Sequence, residues 1–447
     1  MTDRLPERLE AAVLHRIVIV GGGAAGLELA TWLGDRFGRR GRARVTLVEC
    51  ARVHLWKPLL HAVAAGSLDA SEHELDYLAQ AHWHGFRYRF GEMIGLDRES
   101  KEVRLAATFD DEGRPITPER TIPYDTLVIA IGSITNDFGT PGVTQHAVPL
   151  ETPVQAARFN RRVVNACIRA HAQEEPVRPG QLHIAIVGAG ATGTELAAEL
   201  HRTTREVVAY GLDRIDPERD IRILLIEAAG RILPGLPERI STATRRLLED
   251  LGIQVRTGTP VAEITAEGVR LANGEFIASE LVVWAAGVKA PDVLKNLDGL
   301  EVNRINQLVV HQTLQTTRDP DIFAMGDCAA CPRPGESTPV PPRAQAAHQQ
   351  AAHMLKQIER RLRGEPLRPY VYRDFGSLVS LGQYSTVGNL MGFVIGRSIL
   401  IEGLFARLMY RSLEALHERA LHGTVRTGLG LLTRALSRRT GPQVKLH

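Results

Sequence analysis

Short, almost wholly apolar runs alternate along this chain with longer stretches whose apolar residues recur every three or four positions. The runs are RIVIV (16–20), RVTLVE (44–49), HIAIV (183–187) and IRILLIE (221–227). A strand apolar on both faces belongs in a parallel sheet covered by helices on each side. LELATWLGDRF (27–37) lies between the first two runs and TELAAELHRTTREVVAYG (194–211) between the second two, both with helical spacing. Strand, glycine-rich turn, helix and strand therefore occur at 16–49 and again at 183–227, which predicts two α/β units. LVIAIGS (127–133) and LVVWAAGVKAP (281–291) read as later apolar strands ending at Gly132 and Gly287.

Polar, proline-containing stretches punctuate this order. DDEGRPITPER (110–120) predicts a surface hairpin tip and HAQEEPVRPGQ (171–181) a linker into the second unit. CPRPGESTPVPPR (331–343) holds five prolines and reads as an irregular loop, after which AQAAHQQAAHMLKQIERRL (344–362) resumes a helical pattern. Near the end, SILIEGLFARLMYRSLEALH (398–417) carries a stripe of Ile401, Leu404, Phe405, Leu408, Met409, Leu413 and Leu416, with Arg407 and Arg411 off it. ALHGTVRTGLGLLTRALSRR (420–439) places Val425, Leu429, Leu432 and Leu436 on one face beside Arg426, Arg434 and Arg438, with glycines at 423, 428 and 430 weakening it.

Charge changes the reading of that tail. The 447 residues carry a net charge of only +3, so there is no whole-chain case for nucleic acid. From Ser398 onward there are eight Arg or Lys against three Glu. Basic amphipathic helices of this kind lie in an anionic membrane interface. No run of about 18 apolar residues exists to span a bilayer, and the charged start has no apolar core of a signal peptide. Cys50, Cys167, Cys328 and Cys331 are too few for a disulfide scaffold and suit a reducing compartment.

The two turns are the same device. IVGGGAAGLELA (19–30) and IVGAGATGTELA (186–197) align as I-V-G-x-G-A-x-G-x-E-L-A. Gly21, Gly23 and Gly26, then Gly188, Gly190 and Gly193, form G-x-G-x-x-G between strand and helix, where a pyrophosphate can approach the backbone at a helix N-terminus. Glu49 and Glu227 end the following strands, where a carboxylate accepts from a ribose diol. Glu227 would repel a 2′-phosphate and so favours NADH over NADPH, a preference that nearby Arg231 would soften. Glu195 follows the second fingerprint, either as an acid complementing the helix dipole or as a nicotinamide contact. Two dinucleotides imply a resident redox cofactor, FAD, reduced by NADH. TTRDPDIFAMGDCA (316–329) ends a strand at Gly326–Asp327, and such a pair places Asp327 on the FAD ribityl chain, assigning FAD to the first device.

A C-x4-C pair of the disulfide reductases is absent after the first unit. Cys328 and Cys331 form C-x-x-C away from any helix start, read as incidental rather than redox or metal-binding. HLWKPLLHAVAAGSLD (54–69), YDTLVIAIGS, VVWAAGVKAPD, NRINQLVV, TLQTTRDPDIFAMGDCA and VPPRAQAAHQ occur in order. With these segments the chain resembles the type II NADH:quinone oxidoreductases, the single-subunit, non-proton-pumping respiratory NADH dehydrogenases, and is most like the enterobacterial type. Ala344-Gln345-x-Ala347-x-Gln349 matches that family's quinone-site motif. Gln345 and Gln349 are four apart, hence on one helix face, and their amides can bond quinone and quinol alike.

The resemblance implies an α/β flavoprotein with two dinucleotide-binding domains, glutathione-reductase-like, with two Rossmann-type units and a C-terminal amphipathic helical membrane-binding segment. The expected domains are 14–165 and 292–375 for FAD, 166–291 for NADH and 376–447 for membrane docking. It implies hydride transfer from NADH to FAD, then reduction of a membrane quinone (ubiquinone or menaquinone). A peripheral homodimer on the cytoplasmic face of the bacterial inner membrane is expected. Lys57, in the WKPLL loop, becomes a candidate to stabilise reduced flavin, with an exposed structural lysine as the alternative, and Glu195, Gln345 and Gln349 the other catalytic candidates. The rival readings are a soluble flavin-dependent NADH oxidase or reductase and a redox-sensing flavoprotein.

Overall fold

The computed structural model describes residues 14–381, 384–391, 398–402, 404–437 and 444. His15–Val20 is the middle strand of a six-stranded sheet, parallel to Thr126–Ile129 on one side and Ala43–Glu49 on the other. Arg87–Phe90 extends it beyond Ala43–Glu49, and Asp319–Ala324 pairs parallel with Thr126–Ile129. The sheet thus draws strands from both sides of the second unit. Ile17, Ile19, Leu47, Leu127 and Ile129 are fully buried, as runs apolar on both faces require.

The second unit repeats the plan. His183–Val187 lies between Leu281–Trp284 and Arg222–Ile226, and Gln254–Arg256 follows at the edge, all parallel. Its other edge is Val148–Pro149, paired with Leu281–Trp284. That edge strand corrects one expected boundary. A division at 165/166 would cut the helix Pro153–Ala172, whose buried Phe159, Val163 and Cys167 pack in the core of the second sheet. The proline-containing linker at 171–181 hid this, because the helix it follows is already part of the second unit. Ile134–Thr135 pairs with Val288–Lys289, tying together the segments that leave the two units.

The C-terminal region differs from the expected pair of helices. Ser398–Glu402 is a strand, third in an antiparallel sheet with Gly376–Leu381 and Ser385–Met391. The β-branched isoleucines of SILIE favour that state once a partner strand lies alongside. The helix starts at Leu404 and runs to Ser437, interrupted at Gly423 (φ 76°, ψ 170°), a conformation costly for a side-chain-bearing residue. Side chains at 401–411, Leu413, Arg434, Leu436 and Arg438 lie outside the described ones. Val425, Leu429 and Leu432 are 60 to 73% exposed. Arg426 lies over the Trp83 ring. Among the described residues no helix is long and apolar enough to cross a membrane.

Candidate active site

Each glycine loop has the same geometry. Gly21 has φ +102°, and a side chain there would meet the Ala130 carbonyl oxygen at 2.4 Å; Gly188 has φ +101°, with the Ala286 nitrogen at 2.6 Å. Gly26 and Gly193 lie against the carbonyls of Gly21 and Gly188, which brings each helix onto its strand. At Gly23 and Gly190 an added Cβ would meet nothing within 4 Å, and no side chain caps either helix. Uncapped first-turn N–H groups facing open space are what a pyrophosphate needs.

The two strand-end carboxylates also match. Glu49 accepts from the Gly22 amide at 2.5 Å and the Ala51 amide at 2.9 Å. Glu227 accepts from the Ala189 amide at 2.8 Å and the Ala229 amide at 2.9 Å. Each acid is thereby held beside its own loop, where a ribose attached to the pyrophosphate would lie. Arg231 is turned to the Pro234 carbonyl, at 2.9 Å.

Asp327 joins this site through the chain leaving the first unit. Its carboxylate accepts from the Ser133 hydroxyl at 2.8 Å, one residue after Gly132 (φ +71°). The Ser133 carbonyl accepts from Lys57 Nζ at 2.8 Å. Lys57, Ser133 and Asp327 therefore form one polar group, although 270 residue positions separate its ends. The Gly326 amide donates to Gln350 at 2.6 Å, so the helix Ala344–Leu362 holds the Gly-Asp turn directly. Gly287 has φ +64° and closes against the Phe138 ring.

Three candidate side chains find partners within the chain itself. Glu195 is 5% exposed, lies 3.4 Å from His61 Nδ1, and accepts from the Ser380 amide at 2.9 Å. Gln345 and Gln349 share a face, but each amide is bonded at both ends to the chain itself. Gln345 donates to the Gly376 carbonyl (2.9 Å) and Asp374 (3.2 Å) and accepts from the Phe375 amide (3.1 Å). Gln349 donates to the Arg373 carbonyl (2.8 Å) and accepts from its amide (3.1 Å). They brace residues 373–376 where the chain enters the C-terminal sheet. The bridging amide geometry, which looked suited to a quinone, suits a peptide group equally well. Cys328 and Cys331 are fully buried, and burial pushes both thiols up to about 12, the inert neutral form.

Residues with no sequence assignment are as prominent. Glu28, wholly buried, bonds His348 and His417 at 2.7 Å each. The one available signal was the repeated E-L-A, which puts Glu28 where Glu195 stands in the second unit. The segment His54–His61 spans the whole site: His54 reaches Gly22, Lys57 reaches Ser133 and His61 reaches Glu195.

Two open glycine loops, each with a carboxylate held beside it, define a flavoprotein that binds two dinucleotides. The chain belongs to the pyridine nucleotide-disulphide oxidoreductase family, whose model matches residues 15–351, and within it to the type II NADH:quinone oxidoreductases. It is 42% identical over 446 residues to the type II NADH:quinone oxidoreductase of Haemophilus influenzae, covering 97% of this chain and 100% of that one. The Staphylococcus aureus enzyme of the same name is 29% identical over 384 residues, 84% of this chain and 90% of its own. NDH2 from Plasmodium falciparum, solved in complex with NADH, superposes with a TM-score of 0.81 at 18% identity, covering 97% of this chain and all of that one. That likeness concerns the fold. The cofactors are FAD and NADH, and the reaction is NADH-to-quinone oxidoreduction.

Proposed function

We propose that the loop at Gly21–Gly26 holds FAD and the loop at Gly188–Gly193 holds NADH, so that NADH and quinone are served at separate faces of one flavin. The observation that carries this is the Lys57–Ser133–Asp327 group, which only the first loop has beside it. Asp327 is placed to bind a ribityl hydroxyl, and Lys57 to put positive charge near a reduced, anionic ring. The flavin, when bound, supplies the chemistry: it takes a hydride from NADH and passes two electrons to quinone, which gains two protons overall. Glu227 selects NADH. Gln345 and Gln349 act by bracing 373–376, where the chain enters the C-terminal sheet, rather than by donating to quinone. Gln345→Ala accordingly slows quinone reduction and leaves reduction of the flavin by NADH fast.

The exposed Val425, Leu429 and Leu432 beside Arg426 are read as the face that lies on an anionic membrane, in a homodimer on the cytoplasmic side. Anaerobic stopped-flow tests the reading: NADH should bleach flavin absorbance, and short-chain ubiquinone should restore it at the rate of turnover. Bleaching that only oxygen reverses would overturn quinone as the acceptor. Co-sedimentation with phosphatidylglycerol vesicles, and its loss on replacing Val425, Leu429 and Leu432 with serine, tests the membrane face.

A further inference from the structure

The buried carboxylate of Glu28 joins three parts of the chain that are remote in sequence. Its Oε2 faces His348 Nδ1 on the helix Ala344–Leu362, and its Oε1 faces His417 Nδ1 on the C-terminal helix. His417 Nε2 is 2.9 Å from His54 Nε2. His54 Nδ1 is 3.1 Å from the Gly22 carbonyl, which also accepts from the Tyr77 hydroxyl at 2.7 Å. Gly22 is the residue whose amide binds Glu49, in the middle of the first glycine loop.

Hydrogen-bond accounting fixes where the protons are. A carbonyl only accepts, so His54 carries its hydrogen on Nδ1. Burial, with His417 adjacent, pushes His54 down to about 3, so its Nε2 carries none and must accept. His417 therefore donates from Nε2, and it donates from Nδ1 to the carboxylate. His417 thus bridges Glu28 and His54 with one ring nitrogen each. The Trp56 ring lies over it, centroids 4.2 Å apart and planes 31° apart, and helps to hold the imidazole in place. His417 is 4% and Glu28 0% exposed, so the pair is desolvated on both sides. The C-terminal helix is fastened at the same place by the Leu421 carbonyl, which accepts from Gln80 at 3.0 Å.

We propose that Glu28 and His417 are positioning residues through which docking of the C-terminal helix sets the grip of the first glycine loop on its dinucleotide. The docked helix presents His417, His417 orients His54, and His54 with Tyr77 fixes the Gly22 carbonyl and hence the loop. Release of the helix removes the donor to His54, frees that carbonyl to turn, and loosens the cofactor. The inference rests on the reading that the first loop holds FAD.

The test uses the full-length holoprotein and two readouts: FAD release, from the rise in flavin fluorescence after dilution, and trypsin cleavage at the exposed Arg419 and Arg426. His417→Phe should accelerate both by about tenfold or more, the scale of one lost charged hydrogen bond. His54→Phe, which cuts the link but leaves the Glu28–His417 pair, should accelerate FAD release while cleavage stays within about twofold of wild type. His417→Gln, whose amide can donate to both Glu28 and His54, should recover most of both losses, which separates positioning from misfolding. Faster cleavage in His417→Phe with FAD release within about twofold of wild type would overturn the coupling. So would unchanged cleavage in that variant. The underlying reading fails separately: Gly23→Val should lose FAD and Gly190→Val should keep it, and the reverse pattern would reassign the loops.

Discussion

Glu28 and Glu195 stand at the same position of two nearly identical loops, two residues after the third glycine, and they have different surroundings. Glu28 is fully enclosed by imidazoles from residues 348 and 417. Glu195 is 5% exposed and meets His61 and the Ser380 amide. The loops around them agree in the glycine φ angles, the close approaches to the neighbouring strand and the amide pairs on Glu49 and Glu227. What differs is what the rest of the chain brings to each helix. The first loop is locked by a buried charge cluster and suits a cofactor that stays. The second is lined by a short bridge and a strand-edge amide, and suits a substrate that leaves in every cycle.

The sharpest test of that contrast is removal of each acid. Glu28→Ala removes the buried carboxylate that bonds both His348 and His417 and should cost about 3–5 kcal/mol of stability. Glu195→Ala removes, among its contacts, the acceptor of the Ser380 amide and the neighbour of His61, and should cost about 1–3 kcal/mol. Urea unfolding compares them, and equal losses would erase the distinction. Next in size, Glu227→Ala should lower the ratio of kcat/KM for NADH over NADPH by about tenfold or more, the scale set by one charge-specific contact. Glu49→Ala should leave that ratio unchanged, and a change there would mean that the loops are not specialised.

A third test is pH. His54 is pushed down to about 3 by burial, whereas in the unfolded chain it titrates at 6.5. The unfolded state then binds the extra proton, so stability falls as pH drops from about 6.5 toward about 3. His348 is raised by its bond to Glu28, against its own burial. Its contribution is full below 6.5 and is lost as pH rises through the raised value. Burial pushes Glu28 up, but the bonds from His348 and His417 outweigh it and hold it below the ordinary range. That contribution is present above 4.5 and is lost as pH falls through the lowered value. Thermal unfolding against pH should show a flatter acid limb in His54→Phe and a flatter alkaline limb in Glu28→Gln. The smallest effect belongs to Cys328→Ser with Cys331→Ser, where turnover should stay within about twofold, since both thiols are neutral and buried.

Much of this was legible in the letters. The glycine loops, the acids at the strand ends and the apolar strands are local patterns: a left-handed turn needs glycine, and a strand buried on both faces needs an unbroken apolar run. The Gly-Asp turn was equally plain, but its ties to Ser133, Lys57 and Gln350 were not. SILIE at 398–402 was misread because an apolar run has no intrinsic preference between strand and helix until a neighbouring strand supplies the hydrogen bonds. Gln345 and Gln349 showed their shared face, but not that the chain itself would fill it.

The sequence by itself determined two glycine loops, the family and the basic tail, because each depends on residues within short stretches. Only the tertiary structure decided that His54, His348 and His417 meet at Glu28. A buried carboxylate takes its partners from whatever elements the fold packs against it, and those lie up to 389 positions away along the chain.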